Sequence, residues 1–176
     1  MIRLLLMMFC LSCYAIGVGQ KIAVDEVDAF TKAHKVQTSM EKLAQKREFM
    51  GEITARIELG VRSVDGIITI PCNISKTPIA KYDTTSGLTL LFENGDTAIL
   101  RTMYTGIGTE SKAMWGDHWF KTVLQVDEKD LENLRNQKIT DVRLNYFGSY
   151  QDFQLKGKER EMIMKMFKLV DKAMSK

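Results

Sequence analysis

Residues 52–59 read E-I-T-A-R-I-E-L, so that Ile53, Ala55, Ile57 and Leu59 alternate with Glu52, Thr54, Arg56 and Glu58. Alternation with period two predicts a strand with one buried and one wet face. After a turn at Val64-Asp65-Gly66, residues 67–74 form a β-branched run that Pro71 interrupts. Proline cannot donate to a ladder, which predicts an edge or bulged strand. The apolar runs 88–92 and 97–100 are joined through Glu93-Asn94-Gly95-Asp96, and Asn-Gly predicts a hairpin with a type I′ turn, both residues at positive φ. Residues 118–125 read as another strand. Asp127 is placed to cap a short helix over 128–137, with Glu128 and Asp130 in its first turn and Leu131 and Leu134 as apolar anchors. Residues 139–146 alternate again and pair with 150–155 across Phe147-Gly148-Ser149, a second hairpin. From Lys158 the period becomes helical. Met162, Ile163, Met166, Phe167, Leu169, Val170, Ala173 and Met174 form an apolar stripe with Lys165, Lys168 and Lys172 between them, predicting an amphipathic C-terminal helix over 158–174. Residues 22–30 alternate only in part, and 35–43 fit strand or helix. The pattern as a whole predicts an α+β domain, mainly antiparallel β-sheet in a curved sheet or sandwich, with the last helix across one face.

The start of the chain breaks this pattern. Met1-Ile2-Arg3 is followed by an uncharged run over 4–19 and then by Gln20-Lys21, the layout of a secretory signal. The run falls short of the roughly 20 residues that cross a bilayer. Gly17 and Gly19 put small residues where a signal peptidase reads, so the expected cleavage follows Gly19, with Ala15 the second choice. An uncleaved anchor is the competing reading. Lipidation at Cys13 fits less well, because Cys10 stands where a lipobox needs an aliphatic residue. Residues 20–176 then form one domain, with no stable transmembrane segment once the signal is removed. Of the 3 cysteines only Cys72 lies beyond the signal, so the domain is held by its core rather than by an internal disulfide. A formal charge of +3 from 25 basic and 22 acidic residues gives no reason to expect a nucleic-acid partner.

The order of features, Lys21-Ile22-Ala23-Val24-Asp25-Glu26-Val27-Asp28-Ala29-Phe30-Thr31, then Val36-Gln37-Thr38-Ser39 before Glu41-Lys42-Leu43, and later the Asn-Gly hairpin, resembles a family of small exported bacterial (Bacteroidetes-type) proteins of unknown function. The resemblance implies export and a β-rich fold. It carries no catalytic residue.

Candidate chemistry concentrates in Trp115-Gly116-Asp117-His118-Trp119-Phe120. Trp115 and Trp119 offer faces for a sugar ring or another flat ligand, and Asp117 and His118 offer hydrogen bonds. The competing expectation is that Trp119 and Phe120 begin a strand with at least one of them in the core, covered by Trp115. Ser111, Asp117 and His118 supply the residue types of a hydrolytic triad, but no Gly-x-Ser-x-Gly elbow occurs. Cys72 could pair with His34 or His118 as a thiol site, although its apolar run predicts burial. Gly106 and Gly108 lack the third glycine and the helix of a phosphate loop. No metal site is expected: His34, His118 and Cys72 lack ligand spacing, Asp25, Glu26 and Asp28 lack a Ca²⁺-loop pattern, and Met162 and Met166 read as core. No cofactor is expected either. These readings favour a non-catalytic binding or interaction module of the periplasm or cell surface, engaging an envelope protein, a glycan or another surface component. The alternatives are a small exported hydrolase at 115–118 and a structural subunit that adds an edge strand to a partner sheet, with the Pro71 strand as that edge.

Overall fold

A computed structural model describes residues 20–48, 53–110 and 118–175. The expected strands are present as β4 (Ile53–Leu59), β6 (Ile67–Lys76), β8 (Gly87–Phe92), β9 (Thr97–Thr102), β12 (His118–Gln125), β13 (Ile139–Tyr146) and β14 (Ser149–Gln154). The ambiguous N-terminal stretch is also sheet: β1 (Ile22–Val27), β2 (His34–Thr38) and β3 (Glu41–Arg47). Short strands β5 (Arg62–Val64), β7 (Lys81–Tyr82), β10 (Gly106–Ile107) and β11 (Thr109–Glu110) complete it. The helices are α1 (Leu131–Asn136) and α2 (Met162–Met174). The predicted signal, 1–19, and its cleavage site lie outside the described residues.

All pairings are antiparallel. Twelve strands make one sheet in the order β1-β2-β5-β6-β12-β9-β8-β13-β14, while β3 pairs with β4, β4 with β6 and β11 with β12. The sheet therefore forks at β6, whose first half pairs with β5 (Ile67↔Val64 to Thr69↔Arg62) and whose second half pairs with β4 (Cys72↔Leu59 to Lys76↔Ala55). Pro71 stands at the fork. Its carbonyl accepts from Gly60 N at 3.0 Å, and it faces the gap between β5 and β4, where no ladder donor is needed. The expected edge position is thus wrong: β6 is flanked on both sides, with Pro71 opposite Val123 of β12. What the proline marks is a corner. Fully buried Thr38 fastens that corner, its amide donating to Val61 O at 2.9 Å and its hydroxyl accepting from Val61 N at 3.0 Å.

The sheet curls until β14 comes beside β3 without hydrogen bonding to it, leaving a cleft of about 420 Å³ lined by Lys42–Lys46 and Asp152–Lys156. Inward positions are aliphatic, with Ile57, Leu59, Ile70, Ile74, Leu88, Leu90, Leu100, Leu124 and Leu144 fully buried. Removing such side chains from water is the main stabilising term. The buried stripe of α2, Met162, Ile163, Met166, Phe167, Val170 and Ala173, packs on β2, β1 and α1 and covers one end of the curl. Both methionines are core, as expected.

Two local expectations need correction. In the β8–β9 hairpin only Gly95 takes positive φ, at 89°. Gly95 N donates to Phe92 O at 3.0 Å and Phe92 N to Asp96 O at 2.9 Å. That is a type I turn through Glu93-Asn94 followed by a left-handed glycine, not type I′. The Asn94 side chain instead braces the loop, accepting from Asp96 N at 3.0 Å. Asp127 precedes a 3₁₀ turn over Glu128–Asp130 that leads into α1, but its carboxylate makes no cap bond. It faces Lys129 at 4.0 Å.

Candidate functional site

Trp115 and Asp117 lie outside the described residues, as does Ser111. His118 opens β12 opposite Glu110. Trp119 and Phe120 follow it, and adjacent strand residues face opposite ways. Phe120 points inward and is 6% exposed. Trp119 is on the outer face, where the Arg56 guanidinium lies 5.7 Å from its ring and is also ion-paired with Glu58. The strand-and-core expectation for this pair is met.

The end of the curl opposite α2 is built differently. There β7 and β10 form a two-stranded cap, Gly106 opposite Tyr82 and Ile107 opposite Lys81, tied to the β13–β14 turn by Phe147 N donating to Lys81 O at 2.9 Å. Tyr82 points inward and stacks on Phe120, the rings 4.3 Å apart and 3° from parallel. Gly106, the cross-strand partner of Tyr82, also abuts Phe120, and any Cβ there would sit 2.6 Å from Cε2. A larger residue would have to displace the ring or the strand. The Tyr82 side chain is 1% exposed, and its hydroxyl has no hydrogen-bond partner. Burial chiefly, then the neighbouring Cys72 and Tyr146, pushes that hydroxyl's pKa up, so it stays protonated.

Other donors share this end. Gln151 lies opposite inward-facing Leu144, and its Nε2 is buried without a partner. Lys46 and Lys76 flank Ala55 in cross-strand register and so share its face. The Lys76 ammonium lies 5.7 Å from the Tyr146 ring and donates to Thr77 O at 3.0 Å. Lys81 reaches over Phe147 at 5.0 Å. None of Lys46, Lys76 and Lys81 has a carboxylate within 4.0 Å among the described residues. Asp83 is close by in sequence, but its carboxylate accepts from Thr85 and Ser86, whose side chains above all hold it below the usual carboxylate range.

Around the cap stand Ile79, Ile107 and Phe147, 47%, 59% and 60% exposed, with Met103 and Tyr104 beside them. The arrangement can donate hydrogen bonds and offer apolar surface. Cys72, the candidate thiol, is 1% exposed, and burial, reinforced by Glu58, pushes its pKa up. It behaves as a small core residue. At the other end the acidic cluster is spent on internal donors: Asp25 meets His34 at 2.8 Å, Glu26 meets Lys35 at 3.0 Å, and Asp28 accepts from Phe30 N and Thr31 N. Among the described residues no group of three or more potential ligands is placed to hold a metal ion, and no helix is long and apolar enough to cross a membrane.

Tyr82, Gln151, Lys76 and Tyr146 carry no common sequence motif, since they come from four strands and meet only through the curl. One signal was nevertheless legible. Phe147 occupies a two-residue turn beside Gly148, a place where polar residues are usual, and it is exposed. No protein-family model matches the chain, and neither does any curated protein or solved structure.

Proposed function

We propose that this chain is an exported, non-catalytic binding or interaction module of the periplasm or cell surface, and that the capped end of its curled sheet is the contact face. The observation that carries this is one combination. At the cap end the buried Tyr82 hydroxyl and Gln151 amide without partners, lysines without a described carboxylate within 4.0 Å, and the exposed Ile79, Ile107 and Phe147 lie together. Polar groups buried without partners cost stability, and exposed apolar clusters mark contact surfaces. The leader-like start supports export. The alternative of a hydrolase at 115–118 falls mostly outside the described residues, and the candidate thiol Cys72 is enclosed, its pKa pushed up by burial.

The test is amide hydrogen exchange on the purified chain, mixed in turn with lipid, glycan and protein fractions of an envelope. Protection confined to 79–82, 103–107 and 145–151 is expected. Protection elsewhere, or turnover of any component, overturns the reading. A second reading, assembly by edge-strand addition, is favoured by the β3–β14 cleft, where neither strand pairs on its outer side. It predicts protection in 42–46 and 151–154 instead.

A further inference from the structure

Resting on that contact face, we infer that its partner is an anionic lipid surface, which the cap enters with Ile79, Ile107 and Phe147 while Lys46, Lys76 and Lys81 meet the headgroups. Three separate segments supply these apolar side chains: the β6–β7 connection, β10 and the β13–β14 turn. They are fixed relative to one another by the β7–β10 pairing and the Phe147 to Lys81 hydrogen bond. They stand on turns and on a two-residue strand, so they form a set of projections. That shape suits a deformable plane better than a peptide that needs a groove.

Charge decides which plane. The ammoniums of Lys81 and Lys76 lie 5.0 and 5.7 Å from the rings of Phe147 and Tyr146. Each stem thus runs along apolar surface while its head meets no described carboxylate, Lys76 donating only to the Thr77 carbonyl, the arrangement that long basic side chains adopt at a membrane interface. The nearest described carboxylate in sequence, Asp83, is occupied by Thr85 and Ser86. The molecule also carries its own control. Phe30, 96% exposed at the β1–β2 tip, with Val27 and Ile67 nearby, is an equally prominent apolar projection. It sits among Asp25, Glu26, Asp28 and Asp65, whose charge Lys32 and Lys35 offset only in part, so an anionic surface repels it.

Co-sedimentation of the purified full-length chain with vesicles tests this. Phosphatidylcholine vesicles are compared with vesicles containing about one-third phosphatidylglycerol, at low and high salt. The apolar leader is common to every variant, so the readout is the difference between variants. Wild type is expected to prefer the anionic vesicles and to lose that preference in high salt. K81E is expected to weaken binding more than about fivefold, the scale of one lysine near such a surface, and K76E similarly. I107S combined with F147S is expected to weaken binding at least as much, and F30S to change nothing. Circular dichroism melts confirm that each variant folds. Equal binding by all variants, loss in F30S instead, or no preference for anionic vesicles overturns the inference. A dimer in sedimentation equilibrium that F147S dissociates overturns it in favour of a second copy. If vesicles fail while a glycan or protein fraction still protects 79–82 and 145–151 from exchange, the lipid assignment falls and the contact face stands.

Discussion

The two ends of the curled sheet solve opposite problems. At the α2 end most of the apolar stripe is buried, and several charges are paired: Arg135 with Asp171 at 3.1 Å, Lys138 and Lys165 with Glu161 at 3.0 and 2.9 Å, Arg160 with Glu93 at 3.1 Å. At the cap end, lysines stand beside aromatic rings without acids, apolar side chains face water, and Tyr82 and Gln151 keep unpartnered polar atoms inside. The first end shows the denser ion pairing. The second combines features that reduce stability, which the proposed contact face accounts for as a trade between stability and function.

The largest expected effect lies at the first end. Phe167 is fully buried between α2 and the sheet, and F167A should cost about 3–5 kcal/mol in urea or guanidinium unfolding, enough to leave little folded protein. At the cap, G106A must displace the Phe120 ring or the backbone of β10 and should cost about 1–3 kcal/mol. It should also alter the near-ultraviolet circular dichroism of the Tyr82–Phe120 stack while leaving the far-ultraviolet spectrum nearly unchanged. If G106A unfolds the chain as F167A does, the cap is part of the core and the contrast between the ends is too sharply drawn.

A smaller effect distinguishes the ends by pH. Hydrogen bonds from Lys165 first and Lys138 second hold the Glu161 carboxyl at about 2, below its ordinary 4.5. Because the folded value is the lower one, the stabilisation is complete above the ordinary glutamate range and is lost as pH falls from 4.5 towards 2. K138M should therefore flatten the acid limb of a stability-versus-pH curve. K76M, whose ammonium has no carboxylate partner, should leave that limb unchanged.

Legibility followed the range of the interactions. Strands such as β4 and β13, and the stripe of α2, were readable because each periodicity is local and states which face is buried. Pro71 was readable as a disruption but not as a corner, because the gap that tolerates it is made by Gly60 and Val61 in the connection between β4 and β5. The hairpin at 92–96 was readable from Asn94-Gly95, but the turn type was not. Glu93 and Asn94 form a type I turn and leave positive φ to Gly95 alone. The cap was invisible for the same reason as the corner. Lys81-Tyr82 and Gly106-Ile107 are too short to show a period, and they acquire a role only when β7 meets β10. The aromatic cluster at 115–120 drew attention because it is dense in sequence. In the described part of it, the strand sends Phe120 inward and Trp119 outward.

The smallest expected effect is the most diagnostic. Tyr82→Phe removes a hydroxyl that is buried and bonded to nothing and keeps the ring that stacks on Phe120. If the hydroxyl is solitary in the free protein, its loss relieves a desolvated polar group, and the variant should be as stable as wild type or slightly more so, by up to about 1 kcal/mol. A measured destabilisation of about that size would mean that the hydroxyl has a partner in solution, such as a buried water. The two ends would then differ in exposure and charge but not in polar satisfaction. Equilibrium unfolding of Y82F beside Q151L, which removes the unpartnered Gln151 amide at the same end, decides between these. Two neutral or stabilising outcomes would show that the cap end holds its polar groups in reserve, against its own stability.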